Sequence, residues 1–226
     1  MKLSTLEKFL LLAKHPYKGR FMISDLHIHH GIIGIIFLEL HLEGILNLEN
    51  DKVIVNDEVK NDHLFGDDLL ISVKKSRRQR KLKTWIIKLS GKAMAIKWSV
   101  LQALENKGLL NIEKKKFLLF IPYRKTYLLD QSTREQLIEH LKACAFKKKE
   151  TEQEDILLLG MAEACQMYKI LADNKDERKL LKKELKNLIK ENAFAGAIGQ
   201  SIRQVQAAVV AAVTASAAGA AASSSR

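Results

Sequence analysis

The sequence lacks the short motifs by which many enzymes are recognised. It contains no GxSxG, no Walker loop, no dinucleotide-binding glycine fingerprint and no HExxH. Asp67 and Asp68 are adjacent carboxylates at a predicted helix start, where acidic side chains favour the positive end of the helix dipole. His140 and Cys144 lie one helical turn apart, a spacing that would suit a nucleophile and its base, but no orienting group is evident. We therefore predict a binding protein with no catalytic residues and no cofactor.

Cysteine is scarce, and the pattern of an exported chain is missing. The two cysteines, Cys144 and Cys165, fall in helical segments without CxxC spacing, so we expect buried thiols in a reducing compartment. Near the N-terminus, Ser4 and Glu7 have the spacing of a helix capping box, whereas a signal peptide would have an apolar core and a cleavage site. We expect a cytoplasmic location.

Histidines cluster early in the chain without the partners that a metal site needs. The residues concerned are His27, His29, His30 and His41. No Cys, Asp or Glu in register with them completes a tetrahedral set. A ligand cluster remains the alternative, but we favour ordinary surface or loop histidines and predict no metal site.

No apolar run is long enough to cross a bilayer. The most apolar run, residues 31–38, has eight residues, whereas a helix that spans a bilayer needs about 20. Residues 204–225 carry no charge, but they lack leucine, isoleucine and phenylalanine. We therefore predict no transmembrane segment. We divide the chain into a domain at 1–203 and an alanine-rich C-terminal helix with a frayed tail at 204–226.

The apolar run also predicts the centre of the fold. A helix that is apolar nearly all round must be buried, because no side of it gains from facing water. We expect a core helix over 31–44 ending at Gly44, and then a hairpin over 45–56 with its turn at Asn50 and Asp51. The fold class predicted is mainly α, a single globular helical domain around this buried core helix, with projecting β-hairpins.

A partial sequence repeat, the echo, predicts two units that each consist of a helix followed by a hairpin. Residues 42–49 recur at 107–113 after a shift of 64 positions, in each case as helix, glycine and strand. We expect the second hairpin to use 117–120 as its outer strand and 122–130 to be a connector. The unit also resembles a winged helix, so nucleic-acid binding stays open.

Acidic residues are outnumbered by basic ones. The chain has 38 Lys and Arg against 26 Asp and Glu, a formal net charge of +12. This balance points to nucleic acid, to an anionic membrane surface, or to solubility alone. Seven of the ten residues from 74 to 83 are basic, so this block is either an exposed helix junction or a binding site for anions.

Several segments in consistent order carry a family resemblance. They are residues 6–12, 17–19, 34–40, 43–46, 66–70, 85–90, 106–110 and 117–120. Over roughly residues 4–192 the chain resembles the Golgi phosphoprotein 3 family. Without a long acidic or arginine-rich N-terminal tail, the sequence is more similar to a bacterial member than to a Golgi one. The resemblance implies a mainly helical domain with hairpins. In eukaryotic members it implies binding of phosphatidylinositol 4-phosphate at a basic pocket, an adjacent apolar loop pressed into the bilayer, and sorting of glycosyltransferases at the Golgi.

The resemblance also implies where such a pocket would lie. The aligned positions are Ser24 for the family's pocket tryptophan, and Ile33, Met94 and Lys97 for its three arginines. Only Lys97 is basic, which implies a weaker headgroup site, because a phosphomonoester is held best by several charge-assisted bonds.

These observations favour a non-enzymatic peripheral membrane protein that binds anionic phospholipid headgroups, similar to phosphatidylinositol 4-phosphate by resemblance. The predicted lipid-binding residues are Lys97, Arg77, Arg78, Arg80, Lys81, Phe21, Met22 and Ile23. Two alternatives stay open. One is a winged-helix-like nucleic-acid-binding protein that uses the block at 74–83, although nucleic acid is the less favoured partner. The other is an adaptor that binds the tails of membrane proteins.

Overall fold

Helices dominate the part of the chain that the structure, a computed structural model, describes: residues 2–117, 120–191, 199–211 and 214. The helices are α1 (Thr5–Ala13), α2 (Asp25–Leu42), α3 (Asp67–Lys74), α4 (Leu82–Leu89), α5 (Ala93–Asn106), α6 (Gln131–Ala145), α7 (Gln153–Ala164), α8 (Tyr168–Leu171) and α9 (Lys175–Glu191). A 3-10 turn covers Ser90–Lys92, and 199–211 is also helical. Two antiparallel hairpins pair β1 (Leu46–Glu49) with β2 (Lys52–Val55) and β3 (Leu110–Phe117) with β4 (Ile121–Leu128). The predicted fold class is confirmed.

The core helix α2 starts earlier than the sequence suggested. Every residue from 31 to 38 is buried, as predicted, but the helix begins at Asp25. Ser24 makes this start possible, because its side chain accepts a hydrogen bond from the amide of His27. The prediction that the histidines at 27–30 lie in a loop was therefore wrong. These residues are helical, and His30 is buried with its Nδ1 2.8 Å from the carbonyl oxygen of Leu26.

The other elements cover α2 on all sides. It packs against α1, α4, α5 and α7. Two glycines let neighbours come close: a Cβ on Gly31 would lie 2.4 Å from the ring of Phe9, and one on Gly34 would lie 2.8 Å from Val205. The stretch 199–211 therefore packs on the core, with Val205 and Val209 buried. Residues 212–213 and 215–226 of the predicted tail lie outside the described residues.

The echo in the sequence corresponds to two helix-and-hairpin units. Gly44 ends α2 and Gly108 ends α5, with φ angles of +71° and +74°. The same bonds close both helix ends: Ile45 N to Leu40 O at 2.9 Å and Leu109 N to Leu104 O at 3.0 Å. This is the Schellman arrangement, in which glycine takes the left-handed conformation at little cost. Asn50 and Asp51 form the first hairpin's turn, as predicted, both with positive φ.

The second hairpin is longer than predicted. The segment 122–130 was expected to be a connector, but most of it is strand β4, paired in register with β3 from Leu110 opposite Leu128 to Phe117 opposite Ile121. Residues 118 and 119 of the strand predicted at 117–120 lie outside the described residues, and Phe120 is in the turn. As a strand, β4 brings Arg124 and Thr126 to a cavity beside the N-terminus of α2.

None of the helices in the described part of the chain combines the length and apolar character needed to cross a bilayer. Cys144 and Cys165 are buried free thiols, as predicted.

We predict that Gly44→Ala will lower the free energy of unfolding by about 1–2 kcal/mol, because a left-handed residue with a Cβ meets its following carbonyl. Within the described part of the chain, no atom lies within 4 Å of the added Cβ, so the effect comes from backbone conformation. Gly91→Ala is the matched control, since Gly91 is equally uncrowded and has no positive φ. Urea unfolding of the two variants should separate them, and equal stabilities would contradict this account of the helix end.

Candidate functional site

A cavity of 540 Å³ opens where the N-terminus of α2 meets α5 and β4. We call it the Lys97 cavity. Its lining residues are Gly19, Arg20, Phe21, Ile23, Ser24, Asp25, Met94, Lys97, Trp98, Leu101, Arg124 and Thr126. Four separate parts of the chain thus contribute: the loop before α2, the first turn of α2, the middle of α5 and the base of the second hairpin.

Positive charge dominates the lining of this cavity. Arg20, Lys97 and Arg124 supply three cations, and Asp25 is the one acid among the lining residues. Lys97 is only 5% exposed, and its Nζ lies 2.8 Å from Oδ1 of Asp25. The hydrogen bond from Lys97 lowers the pKa of Asp25. The buried ammonium is therefore held in place by an acid that an incoming anion would have to compete with.

Aromatic rings position the cations. The Arg124 guanidinium lies over the ring of Trp98, 5.0 Å from its centroid. The Lys97 ammonium is 5.9 Å from the ring centroids of both Phe21 and Trp98. Cation–π contacts of this kind keep a charge in a defined place without neutralising it. The cavity therefore keeps its positive potential.

A further lysine lies behind the cavity wall. Lys14 is fully buried, and its Nζ donates to Oγ1 of the lining residue Thr126 at 2.6 Å and lies 4.5 Å from the ring centroid of Phe21. Burial, together with the nearby charge of Lys97, lowers the pKa of Lys14 to about 8. An anion in the cavity would face this charge as well, because Coulomb attraction is screened weakly in a buried setting.

The loop that forms the rim is fastened at both ends. Met22 N donates to Ala13 O at 2.8 Å, and His15 N donates to Arg20 O at 3.0 Å. At Gly19 a Cβ would lie 2.9 Å from the ring of Tyr127 on β4. The missing side chain lets the loop rest directly on the second hairpin.

The start of α2 adds a second source of positive potential. Ser24 is the N-cap and Asp25 the first helical residue, and both line the cavity. A helix N-terminus favours negative charge through its free amides and its dipole. Converging cations at such a helix end can bind a phosphate or a carboxylate.

The predicted lipid-binding residues do not all meet at this cavity. Lys97, Phe21 and Ile23 line it, and Met22 is on the rim loop between Phe21 and Ile23 with 41% of its surface exposed. The others lie between α3 and α4. Arg77 and Arg78 are exposed, Arg80 is half-buried, and Lys81 lines a different concavity with Asp51, Lys83 and Arg203.

The positions that the family resemblance assigned to a pocket fall mostly at one place. Ser24, Met94 and Lys97 all line the Lys97 cavity. Ile33 does not, because it is fully buried in the middle of α2. The resemblance therefore supplied three lining positions of the cavity, but only one of its three cations, Lys97.

Sequence reasoning missed the residues that make the cavity basic. Arg20 was not among the predicted lipid-binding residues, and Arg124 and Thr126 fell in the predicted connector at 122–130. One available signal was the two-residue spacing of Arg124 and Thr126, which places both side chains on one face of a strand. Lys14 gave no signal, since it ends an otherwise apolar helical face.

A larger concavity of 920 Å³ has the opposite character. Four of its lining residues are acidic, Glu39, Glu150, Glu152 and Glu154, against one lysine, Lys149. Such a lining repels anions, so size alone does not identify the site.

Comparison with known proteins adds one finding. The sequence model of the Golgi phosphoprotein 3 family matches residues 6–215. No match was found among curated proteins.

We predict a pH-dependent stability difference between the wild type and Lys14→Met. Between pH 8 and the ordinary lysine pKa of 10.5, the unfolded chain holds a proton at Lys14 that the folded protein has lost. Wild-type stability therefore rises with pH relative to the variant, by up to about 3 kcal/mol.

Urea unfolding at pH 7 and pH 10.5 measures this difference. The exposed Lys18→Met removes the same charge and serves as control. Its offset from wild type should stay constant with pH. A constant offset for Lys14→Met as well would mean that Lys14 is not desolvated.

Proposed function

The chain belongs to the Golgi phosphoprotein 3 family, and we propose that it is a non-enzymatic peripheral membrane protein that binds the phosphorylated headgroup of an anionic lipid in the Lys97 cavity. The observation that carries this proposal is the convergence of Arg20, Lys97 and Arg124 on the N-terminus of α2. By family resemblance the preferred headgroup is that of phosphatidylinositol 4-phosphate.

The cavity suits a phosphomonoester better than the aligned positions alone would suggest. Lys97 replaces one family arginine, while Arg20 and Arg124 bring guanidinium groups from elsewhere in the chain. Guanidinium forks match phosphate oxygens in pairs, and each charge-assisted bond contributes about 1.5–3 kcal/mol. In this proposal, Arg20 on the rim loop and Arg124 on β4 bind the phosphate in place of the two family arginines that this chain lacks.

The second hairpin gives the membrane a further surface to meet. Arg124 lines the cavity from the middle of β4. The strand begins next to the turn, where Phe120 is 84% exposed. The hairpin carries five cations, Lys114, Lys115, Lys116, Arg124 and Lys125, and one acid, Glu113. Each basic residue near an anionic leaflet contributes about 1 kcal/mol. We propose that this turn, together with Met22 on the rim, rests at the lipid surface.

The nucleic-acid alternative is disfavoured. A helix that reads a DNA groove needs basic residues on its exposed face. The helix before the second hairpin, α5, has a single cation, Lys97, which is buried against Asp25. The helix before the first hairpin, α2, has no lysine or arginine.

Vesicle co-sedimentation tests the proposal. We expect the protein to bind vesicles with phosphatidylinositol 4-phosphate more tightly than vesicles of equal charge made with phosphatidylserine. The double variant Lys97→Met/Arg124→Gln should lose at least about tenfold in affinity for the first kind, since it removes two charge-assisted partners of the phosphate.

Arg77→Gln/Arg78→Gln is the matched control, because it removes the same two charges from an exposed site outside the cavity. It should weaken binding to both kinds of vesicle alike and keep the preference. The proposal fails if the cavity variant keeps the preference, or if the wild type has none.

Asp25→Asn should strengthen binding by about fivefold, because it removes the one carboxylate that competes for Lys97. Asp67→Asn is its control, since Asp67 is likewise the first residue of a helix but lies outside the Lys97 cavity. Vesicle titrations of both variants give the comparison. Weaker binding by Asp25→Asn would mean that Asp25 is needed to position Lys97.

A further inference from the structure

Three metal-binding side chains meet between α6 and α7. His140 and Cys144 lie one turn apart on α6, and Asp155 is in the first turn of α7. One ligand atom from each lies within 4.8 Å of the other two. The trio is the only such group in the part of the chain that the structure describes.

The separations are close to those around a tetrahedral ion. The Sγ of Cys144 is 3.7 Å from Nε2 of His140 and 3.7 Å from Oδ2 of Asp155. With zinc bonds of 2.3 Å to sulfur and about 2.0–2.1 Å to nitrogen, tetrahedral geometry puts the two ligand atoms about 3.6 Å apart. His140 Nε2 and Asp155 Oδ1 are hydrogen bonded at 2.8 Å. They need to separate by about 0.5 Å to admit an ion.

The ion would have a path in and would be held firmly. Cys144 is fully buried and Asp155 nearly so, whereas the side chain of His140 is 30% exposed and marks the open side. The carboxylate of Asp155 is fixed by the amide of Glu152, which donates to Oδ2 at 3.1 Å. Lys149 Nζ, 3.0 Å from Nδ1 of His140, is on an exposed residue that can move aside.

A catalytic arrangement of the same residues is disfavoured. In a nucleophile–base–acid triad the acid holds one ring nitrogen of the histidine while the other faces the nucleophile. Here Nε2 of His140 faces both Asp155 and Cys144.

We propose that His140, Cys144 and Asp155 bind one divalent ion of the zinc class, which fastens α6 to α7. Mixed thiolate, imidazole and carboxylate ligands select Zn²⁺ or Co²⁺ over the hard ions Mg²⁺ and Ca²⁺. Three protein ligands leave a fourth position for water on the His140 side. This proposal departs from the sequence-based prediction of no metal site, which did not place Asp155, 11 residues beyond Cys144, beside the thiol.

The test uses the full chain without a histidine tag, stripped with a chelator and titrated with Zn²⁺ by calorimetry and with Co²⁺ by absorption spectroscopy. We expect one equivalent of Zn²⁺ to bind and Tm to rise with free Zn²⁺. A thiolate-to-cobalt charge-transfer band should appear with Co²⁺. Absence of both binding and band overturns the proposal, and so does an equal rise in Tm with Mg²⁺ or Ca²⁺.

Variants assign the ligands. Cys144→Ala should abolish the cobalt band and lower zinc affinity at least about tenfold, since loss even of an outer-shell partner costs 10–100-fold. Cys165→Ala is the control, because Cys165 is also a buried free thiol but lies outside the trio. His140→Gln should also lower zinc affinity. His140 is half-buried, so this loss would not come from disturbed core packing. Unchanged affinity in Cys144→Ala, or a band lost in Cys165→Ala, refutes the assignment.

Discussion

The burial of α2 on every side is the constraint on which the rest of the structure depends. A helix whose residues 31–38 are all inaccessible has no face left for function. Other helices must cover it, and two of its glycines let the neighbouring side chains Phe9 and Val205 approach closely. Polar chemistry is therefore confined to the ends of this helix. Its C-terminal end leads into a hairpin, and its N-terminal end opens into the Lys97 cavity.

The cavity depends on a balance of charges rather than on a single binding group. Lys97 is buried and would be costly without Asp25, because an unpaired buried cation is strongly destabilising. The same carboxylate weakens the attraction for an anion. Lys14, behind the wall, bonds to the hydroxyl of Thr126 and forms no ion pair with an acid of the described residues, so part of the positive potential stays uncompensated. Keeping uncompensated cations in this site lowers the free energy of unfolding, because buried charge is costly.

Much of the fold could be predicted from local patterns, whereas the charges of the site could not. The apolar run at 31–38, the stops at Gly44 and Gly108 and the turn at Asn50 each have a cause within a few residues, so their structures matched the predictions. Arg20 and Arg124 line the same cavity only because distant segments of the chain fold together, and no short stretch of sequence contains both. The start of α2 was missed because three histidines interrupt the apolar pattern in its first turns, although Ser24 caps the helix before them. The family resemblance pointed to Lys97 but not to Arg124, because none of the positions it supplied lies on β4.

The unequal lengths of the two hairpins have a geometric consequence. Each strand of the first has four residues and each strand of the second has eight. At about 3.4 Å per residue, Arg124 stands about 10 Å back from the turn along β4. The backbone hydrogen bonds between β3 and β4 fix this separation, so a lipid surface at Phe120 and an anion at Arg124, as proposed above, would be held apart by it. Under the proposed function, this spacing would favour headgroups whose phosphate extends away from the lipid surface.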